Sequence, residues 1–498
     1  MTKEEAIQFY KEYCDKCNAY NLALTTMYFD MSTIAPEAGS DYRIKVLSFL
    51  GGELFDYQTN PENIKKIEEM ASFDLGEVMN EEIRQEVKNL RRVSKLPKEF
   101  YIKLQETMNH GEIAWKKARK EKNYSLFKDA LKEIINVQKQ AYTYYGFEGN
   151  IYDAMLDDYE TGMNMEKYDV FFTCIKERLV PFIHKLVNEG RKIDASVLHL
   201  NYDEKGQEEI ANLLLKYMNY DPKRCYMGTT IHPFTSDFSL NDVRITTRYV
   251  EDALASSIFS VIHEYGHALY MMNVNPEFEG MNVGRAMTSG MHESQSRFLE
   301  NYIGKRKAFW VNNYPKVQEI FHDQLKEVSL DEFVTLLNVA KPSFIRTEAD
   351  ELTYPLHILI RYELEREMIN GEIDVDRLDE IWADKYEEYL GIRPTNANEG
   401  ILQDIHWSGG SFGYFPTYAL GSAFSAQFFE AMTNEIDVDY ALENNEFETI
   451  ENWLKEKIHK HGALYKADTI IQNVCGDSFD PNVYVDYLVD KYSKLYEL

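Results

Sequence analysis

Apolar side chains return every three or four positions along most of this chain, the spacing that lines one face of an α-helix. The pattern predicts helices over residues 3–27, 97–121, 125–145, 164–188 and 316–339, and later over 350–370, 416–433 and 481–497. Roughly two-thirds helix follows, against a usual third. Residues 225–250 break the pattern. They are rich in Thr, Tyr, Val and Ile, carry Asn241-Asp242 as a turn signal, and predict a small sheet of short strands. An apolar helical stretch at 251–273 follows directly. The expected fold is therefore mostly α, with a small sheet beside that helix. A helical N-terminal half over residues 1–220 would cover a second half over 221–498, with no linker or repeat between them.

Composition narrows the class. The chain has 498 residues, 44% of them hydrophobic, enough for a large core. It holds 54 Lys and Arg against 83 Asp and Glu, a net charge of −29. Such a surface repels phosphate backbones and anionic lipid, so neither nucleic acid nor membrane is an expected partner. The 35 Tyr and 27 Phe suit a groove that grips peptides, but they also fill helical cores. Cys14, Cys17, Cys174, Cys225 and Cys475 are too few and too scattered for a disulfide framework. The opening Met1-Thr-Lys-Glu-Glu5 lacks an apolar signal region, and no apolar run reaches spanning length, so a cytoplasmic location is expected.

The sharpest chemistry lies at His263-Glu-Tyr-Gly-His267, an H-E-x-x-H motif on the predicted 251–273 helix. Imidazoles at i and i+4 share a face and can point at one cation, with Glu264 beside them as candidate base for a metal-activated water. A catalytic zinc takes three protein ligands and leaves a fourth position open. The metzincin solution needs Gly and His where this chain has Tyr270 and Asn273. A Glu on a following helix is the other common solution, and Ser289-Gly-Met-His-Glu-Ser-Gln-Ser-Arg297 opens such a helix. Either Glu293 or His292 could serve, but adjacent residues do not share a helical face. Gly266 inside the motif helix suggests a close approach by another element.

Two further stretches are organised beyond packing. Phe344-Ile-Arg-Thr-Glu-Ala-Asp-Glu-Leu-Thr-Tyr354 sets Arg346 among acids, as either a capped helix start or a binding site. Residues 400–418 form a Gly-rich loop with His406, Tyr414 and Tyr418, whose side chains could donate to an oxyanion. Asp242, Arg244 and Thr246 alternate onto one face of a strand, as an ion-pair row or a groove floor.

Taken in order, the motifs resemble the carboxypeptidase Taq family of metallocarboxypeptidases. They are His232-Pro-Phe234, Asp242-x-Arg244-x-Thr246, His263-Glu-x-x-His267, His292-Glu-Ser294, Ile345-Arg346-x-x-Ala349-Asp350 and Gly400-x-x-Gln403-Asp404-x-His406-Trp407. Trp115-Lys-Lys-Ala-Arg119 and Tyr152-Asp-Ala-Met-Leu-Asp-Asp-Tyr-Glu160 resemble family signatures in the N-terminal half. The resemblance implies an elongated helical fold with a deep groove, related to angiotensin-converting enzyme and neurolysin. It implies removal of single C-terminal residues with broad specificity and poor action next to proline, zinc or cobalt as metal, and a homodimer. It assigns Glu293 as third ligand and Arg346 to the substrate carboxylate. Arg244 and His232 would line and close the groove. Analogy with the wider clan gives His406 and Tyr418 the tetrahedral intermediate. Phe29-Asp30-Met31 stands where the family tends to have Trp-Asp-Gln, and Thr161 where Pro is usual before Gly162; both are placed away from the assigned chemistry. The rival readings are an endopeptidase or dipeptidyl carboxypeptidase on a similar fold, and a non-catalytic helical scaffold with a metal site.

Overall fold

The computed structural model describes residues 1–230 and 232–498. The predicted helices appear as Lys3–Thr33, Lys98–Glu121, Lys128–Tyr144, Met165–Glu189, Tyr354–Asn370, Pro416–Glu435 and Pro481–Tyr496. Local chemistry sets their starts. Thr2 and Glu5 form a reciprocal capping box at the first, and Asn164 accepts from Lys167 N at the fourth, satisfying amides that have no partner within the helix.

The continuous helix expected over 316–339 is not formed. The chain folds instead as Lys307–Ile320, His322–Leu325 and Leu330–Leu337. Phe321 leaves helical geometry at ψ 51°, and Ser329 caps a new helix by accepting from Glu332 N. The apolar period runs across both breaks because Phe321, Leu325, Phe333 and Leu336 enter one core.

Helices at Ser40–Gln58, Pro61–Met70 and Glu77–Ser94 were not foreseen. The last hides its period because two of its buried positions are glutamates. Glu82 and Glu86 accept from the Tyr10 and Tyr13 hydroxyls at 2.6 and 2.7 Å, and Glu82 also takes the Val283 amide at 2.9 Å. Tyr10 and Tyr13 belong to a small core within residues 6–90, whereas the main core joins residues from Trp115 to Tyr496, Val283 among them. Cys14 and Cys17 sit in the small core, where burial pushes their thiols up to about 12 and about 11.

The sheet forms where expected, from β1 (Cys225–Thr229), β2 (Thr235–Ser239) and β3 (Asp242–Thr247) in the order β1-β3-β2. β3 pairs parallel to β1 and antiparallel to β2. Val243 and Ile245 alternate inward while the sheet packs on the Leu254–Met272 helix. That helix carries the H-E-x-x-H motif, so the sheet fixes one side of the site.

Candidate metal centre

His263 and His267 project from the same side of the Leu254–Met272 helix toward Glu293 on the Ser289–Arg297 helix. Their Nε2 atoms lie 3.7 and 3.5 Å from Glu293 Oε2, too long for hydrogen bonds. Two donors about 2.0–2.2 Å from a tetrahedral zinc sit roughly 3.3–3.6 Å apart, close to the spacing of each histidine from Glu293. Donor atoms of these three residues all fall within 4.8 Å of one another, and no other such group occurs among the described residues. His292 stacks on His267 at 4.3 Å instead of joining them. Gly266 explains itself here: a Cβ would stand 2.6 Å from Gln295 O and from Ser296 Cα, so the two helices meet backbone to backbone.

Glu293 is buried, yet it stays ionised. Burial alone would raise its carboxyl, but Arg297, His263 and His267 hold it well below the usual range. Arg297 Nε donates to Glu293 Oε1 at 2.8 Å and its Nη1 to Glu300 Oε2 at 3.1 Å. Glu300 lies in the π-helical turn Phe298–Gly304, a rare geometry common at functional sites. Its Oε2 also meets His263 Nδ1 at 2.8 Å, which turns Nε2 toward the shared point. Burial opposes charge on His263, while Glu293 and Glu300 raise it.

Glu264, 8% exposed, is fixed from the sheet. Thr235 Oγ1 donates to its Oε2 at 2.6 Å. Thr235 is held in turn by its place in β2, next to Phe234, whose amide donates to Thr246 Oγ1 at 2.9 Å. The H-P-F and D-x-R-x-T motifs thus position the candidate base together.

Arg346 is nearly buried and pairs with Asp404, Nε at 3.0 Å and Nη2 at 2.9 Å from Oδ1. Arg361 pairs with the other oxygen at 2.6 Å. One carboxylate between two guanidinium groups leaves a net positive charge. Arg346 Nη1 points to the Tyr354 hydroxyl at 3.4 Å, and its guanidinium lies 5.0 Å over the Tyr418 ring. Tyr354 in turn stacks under Arg297 at 4.1 Å. A chain of contacts therefore runs from Glu293 through Arg297, Tyr354 and Arg346 to Tyr418. The Tyr418 hydroxyl and His406 Nε2 are 3.4 Å apart. Burial, then Arg346, lower His406 to about 4; burial holds the Tyr418 hydroxyl well above its ordinary value.

Arg244 and His232 stand apart from this chain. Arg244 makes a two-pronged pair with Asp242 at 2.9 and 2.8 Å and covers the Phe238 ring at 4.0 Å. His232 is exposed. Phe29 meets Phe234 and Phe238, each at 5.7 Å, and lies 5.4 Å from Arg244. Placing Phe29 away from the assigned residues is therefore wrong in space: a helix distant in sequence closes over the sheet.

Sequence reasoning missed Thr235, Arg297, Glu300 and Tyr354. Glu293, Arg297 and Glu300 fall at i, i+4 and i+7, one helical face, so a signal for two of them was present. A cavity of about 1000 Å³ lies elsewhere, lined by Arg84, Lys88, Arg91, Tyr142 and Phe147 among others, and includes none of the residues above.

Known proteins resemble this chain over nearly its whole length. The family model of carboxypeptidase Taq (M32) metallopeptidases matches residues 9–492. Carboxypeptidase 1 of Bacillus subtilis is 38% identical over 494 residues, covering 98% of this chain and 99% of its own. Thermostable carboxypeptidase 1 of Thermus thermophilus is 34% identical over 511 residues, covering 100% of both. The crystal structure of M32 carboxypeptidase from Deinococcus radiodurans superimposes with a TM-score of 0.96 at 29% identity, covering 99% of this chain and 100% of that one.

Proposed function

The chain belongs to the carboxypeptidase Taq (M32) family of metallopeptidases, metal-dependent carboxypeptidases, and we propose that it removes single residues from free C-termini of peptides with His263, His267 and Glu293 as metal ligands and Glu264 as general base. The observation that carries the site assignment is the convergence of two Nε2 atoms and one carboxylate oxygen beside a carboxylate pinned by Thr235. A divalent cation held there supplies Lewis acidity, lowering the pKa of water and polarising the scissile carbonyl.

The chain's own residues do the rest. Glu264 takes the proton of the attacking water and returns it to the leaving amine. Tyr418 keeps its hydroxyl proton across the working range, and His406 stays neutral near pH 7, so both can donate to the developing oxyanion. Arg346, with the surplus charge of its pair with Arg361 on Asp404, attracts the substrate's terminal carboxylate. Arg244 and His232 line and close a deep groove, which residues 1–220 cover and residues 221–498 floor. The proposal extends to zinc or cobalt as the metal, a homodimer, a cytoplasmic setting and a wider relation to angiotensin-converting enzyme and neurolysin. The family resemblance supports the metal, the homodimer and the wider relation. No helix among the described residues is long and apolar enough to cross a membrane.

Elemental analysis of the purified protein and of Glu293→Ala tests the ligand set. One metal per chain in the native protein and a marked loss in the variant are expected. Equal metal in both would refute Glu293 as ligand.

A further inference from the structure

The Gly-rich segment between His406 and Tyr414 is fastened at both ends by one buried carboxyl group. Glu365, 0% exposed on the Tyr354–Asn370 helix, accepts from Trp407 Nε1 at 2.6 Å on one oxygen. Its other oxygen accepts from Gly413 N at 2.8 Å and from the Tyr152 hydroxyl at 2.9 Å. Trp407 directly follows His406, and Gly413 directly precedes Tyr414. Gly413 has φ +87°, and a Cβ there would lie 2.6 Å from Met155 O, so the loop rests on the Ile151–Tyr159 helix. Tyr159 on that helix meets the Tyr414 ring at 5.1 Å, and Tyr414 meets Tyr418 at 5.1 Å.

We propose that Glu365 is a positioning residue for the reaction: by accepting at both ends of the loop, it sets where His406 and Tyr418 present their donors. The inference rests on the reading of those two side chains as oxyanion donors. It also gives the Tyr152–Glu160 signature a role, because that segment supplies the third donor and the surface on which the loop lies. Retaining an acid in the core is costly, and burial pushes Glu365 up to about 7 against the pull of Trp407, Gly413 and Tyr152. Glu365 touches neither the metal-binding residues nor Glu264 through any hydrogen bond among the described residues, so its effect on turnover must pass through the loop.

Glu365→Gln keeps the volume but turns one acceptor into a donor that confronts Trp407 or Gly413. The test is a double-mutant cycle on kcat and KM with Tyr418→Phe, alongside thermal unfolding. Glu365→Gln is expected to lower kcat about tenfold or more, with KM within about threefold and Tm nearly unchanged. In the Tyr418→Phe background it should cost clearly less than it does alone, because one of the two donors it places is already gone. A merely structural role would lower Tm and give additive losses, which overturns the proposal. Normal kcat in Glu365→Gln beside a crippled Tyr418→Phe overturns it while leaving the donor reading intact. Normal kcat in Tyr418→Phe overturns the donor reading and Glu365's role with it. Should Glu365→Gln fail to fold, Trp407→Phe and Tyr152→Phe each remove one of its donors; normal kcat in both overturns the proposal, and a loss coupled to Tyr418 supports it.

Discussion

Glu300 meets His263 Nδ1 at 2.8 Å, seven residues beyond Glu293 on one helical run. The same carboxylate takes Arg297 Nη1, so about two helical turns carry a candidate ligand, the carboxylate that orients a second candidate ligand, and the cation that keeps both acids charged. Removing the carboxylate that orients a metal-binding histidine costs roughly 10- to 100-fold in metal affinity. Glu300→Gln should weaken metal binding by about that factor in chelator competition while leaving the fold in place. Unchanged affinity would reduce Glu300 to a packing residue.

Glu264→Gln separates base from ligand. The amide can still accept from Thr235, whose hydroxyl now lies 2.6 Å from the carboxylate, so metal content should persist. Turnover should fall to a trace because no base remains. Substantial activity in metal-replete Glu264→Gln would show that another group takes the proton.

Arg346 is tested with the substrate as much as with the protein. Nε and Nη2 are engaged by Asp404, so a terminal carboxylate would meet the Nη1 end near Tyr354. Wild type should discriminate strongly against a C-terminally amidated peptide, and Arg346→Ala should lose that discrimination, since both changes break one interaction. Arg346→Lys should recover only part, lacking the planar fork. Equal discrimination in wild type and Arg346→Ala would move the clamp to Arg244.

His406 gives a prediction with a definite sign. Its folded value falls from 6.5 to about 4, by burial and then Arg346. A histidine depressed in the folded state contributes stability in full above about 6.5, lost as pH falls through about 4. Imidazole resonances of labelled protein should show His406 neutral at pH 5.5. A midpoint near 6.5 would mean that the ring is solvated and not poised as a neutral donor.

The candidate metal-binding histidines were legible because H-E-x-x-H is local: a helix alone brings His263 and His267 together. Glu293 needed the resemblance, since spacing could not separate it from His292; the structure separates them by turning His292 onto the His267 ring. Thr235 and Tyr354 were invisible because their partners, Glu264 and Arg297, are 29 and 57 residues away and meet them only through tertiary packing. The helix at Glu77–Ser94 was hidden by Glu82 and Glu86, polar residues buried by their own tyrosine and backbone donors.

The most direct test is mass spectrometry of a mixed peptide digest sampled over time, with metal-loaded protein and with Glu264→Gln under the same conditions. The expected result is a ladder from each free C-terminus, shortened one residue at a time, with amidated peptides spared and the Glu264→Gln reaction silent. Internal fragments, two-residue steps, or equal trimming of amidated peptides would contradict a carboxypeptidase that removes single residues at a carboxylate clamp.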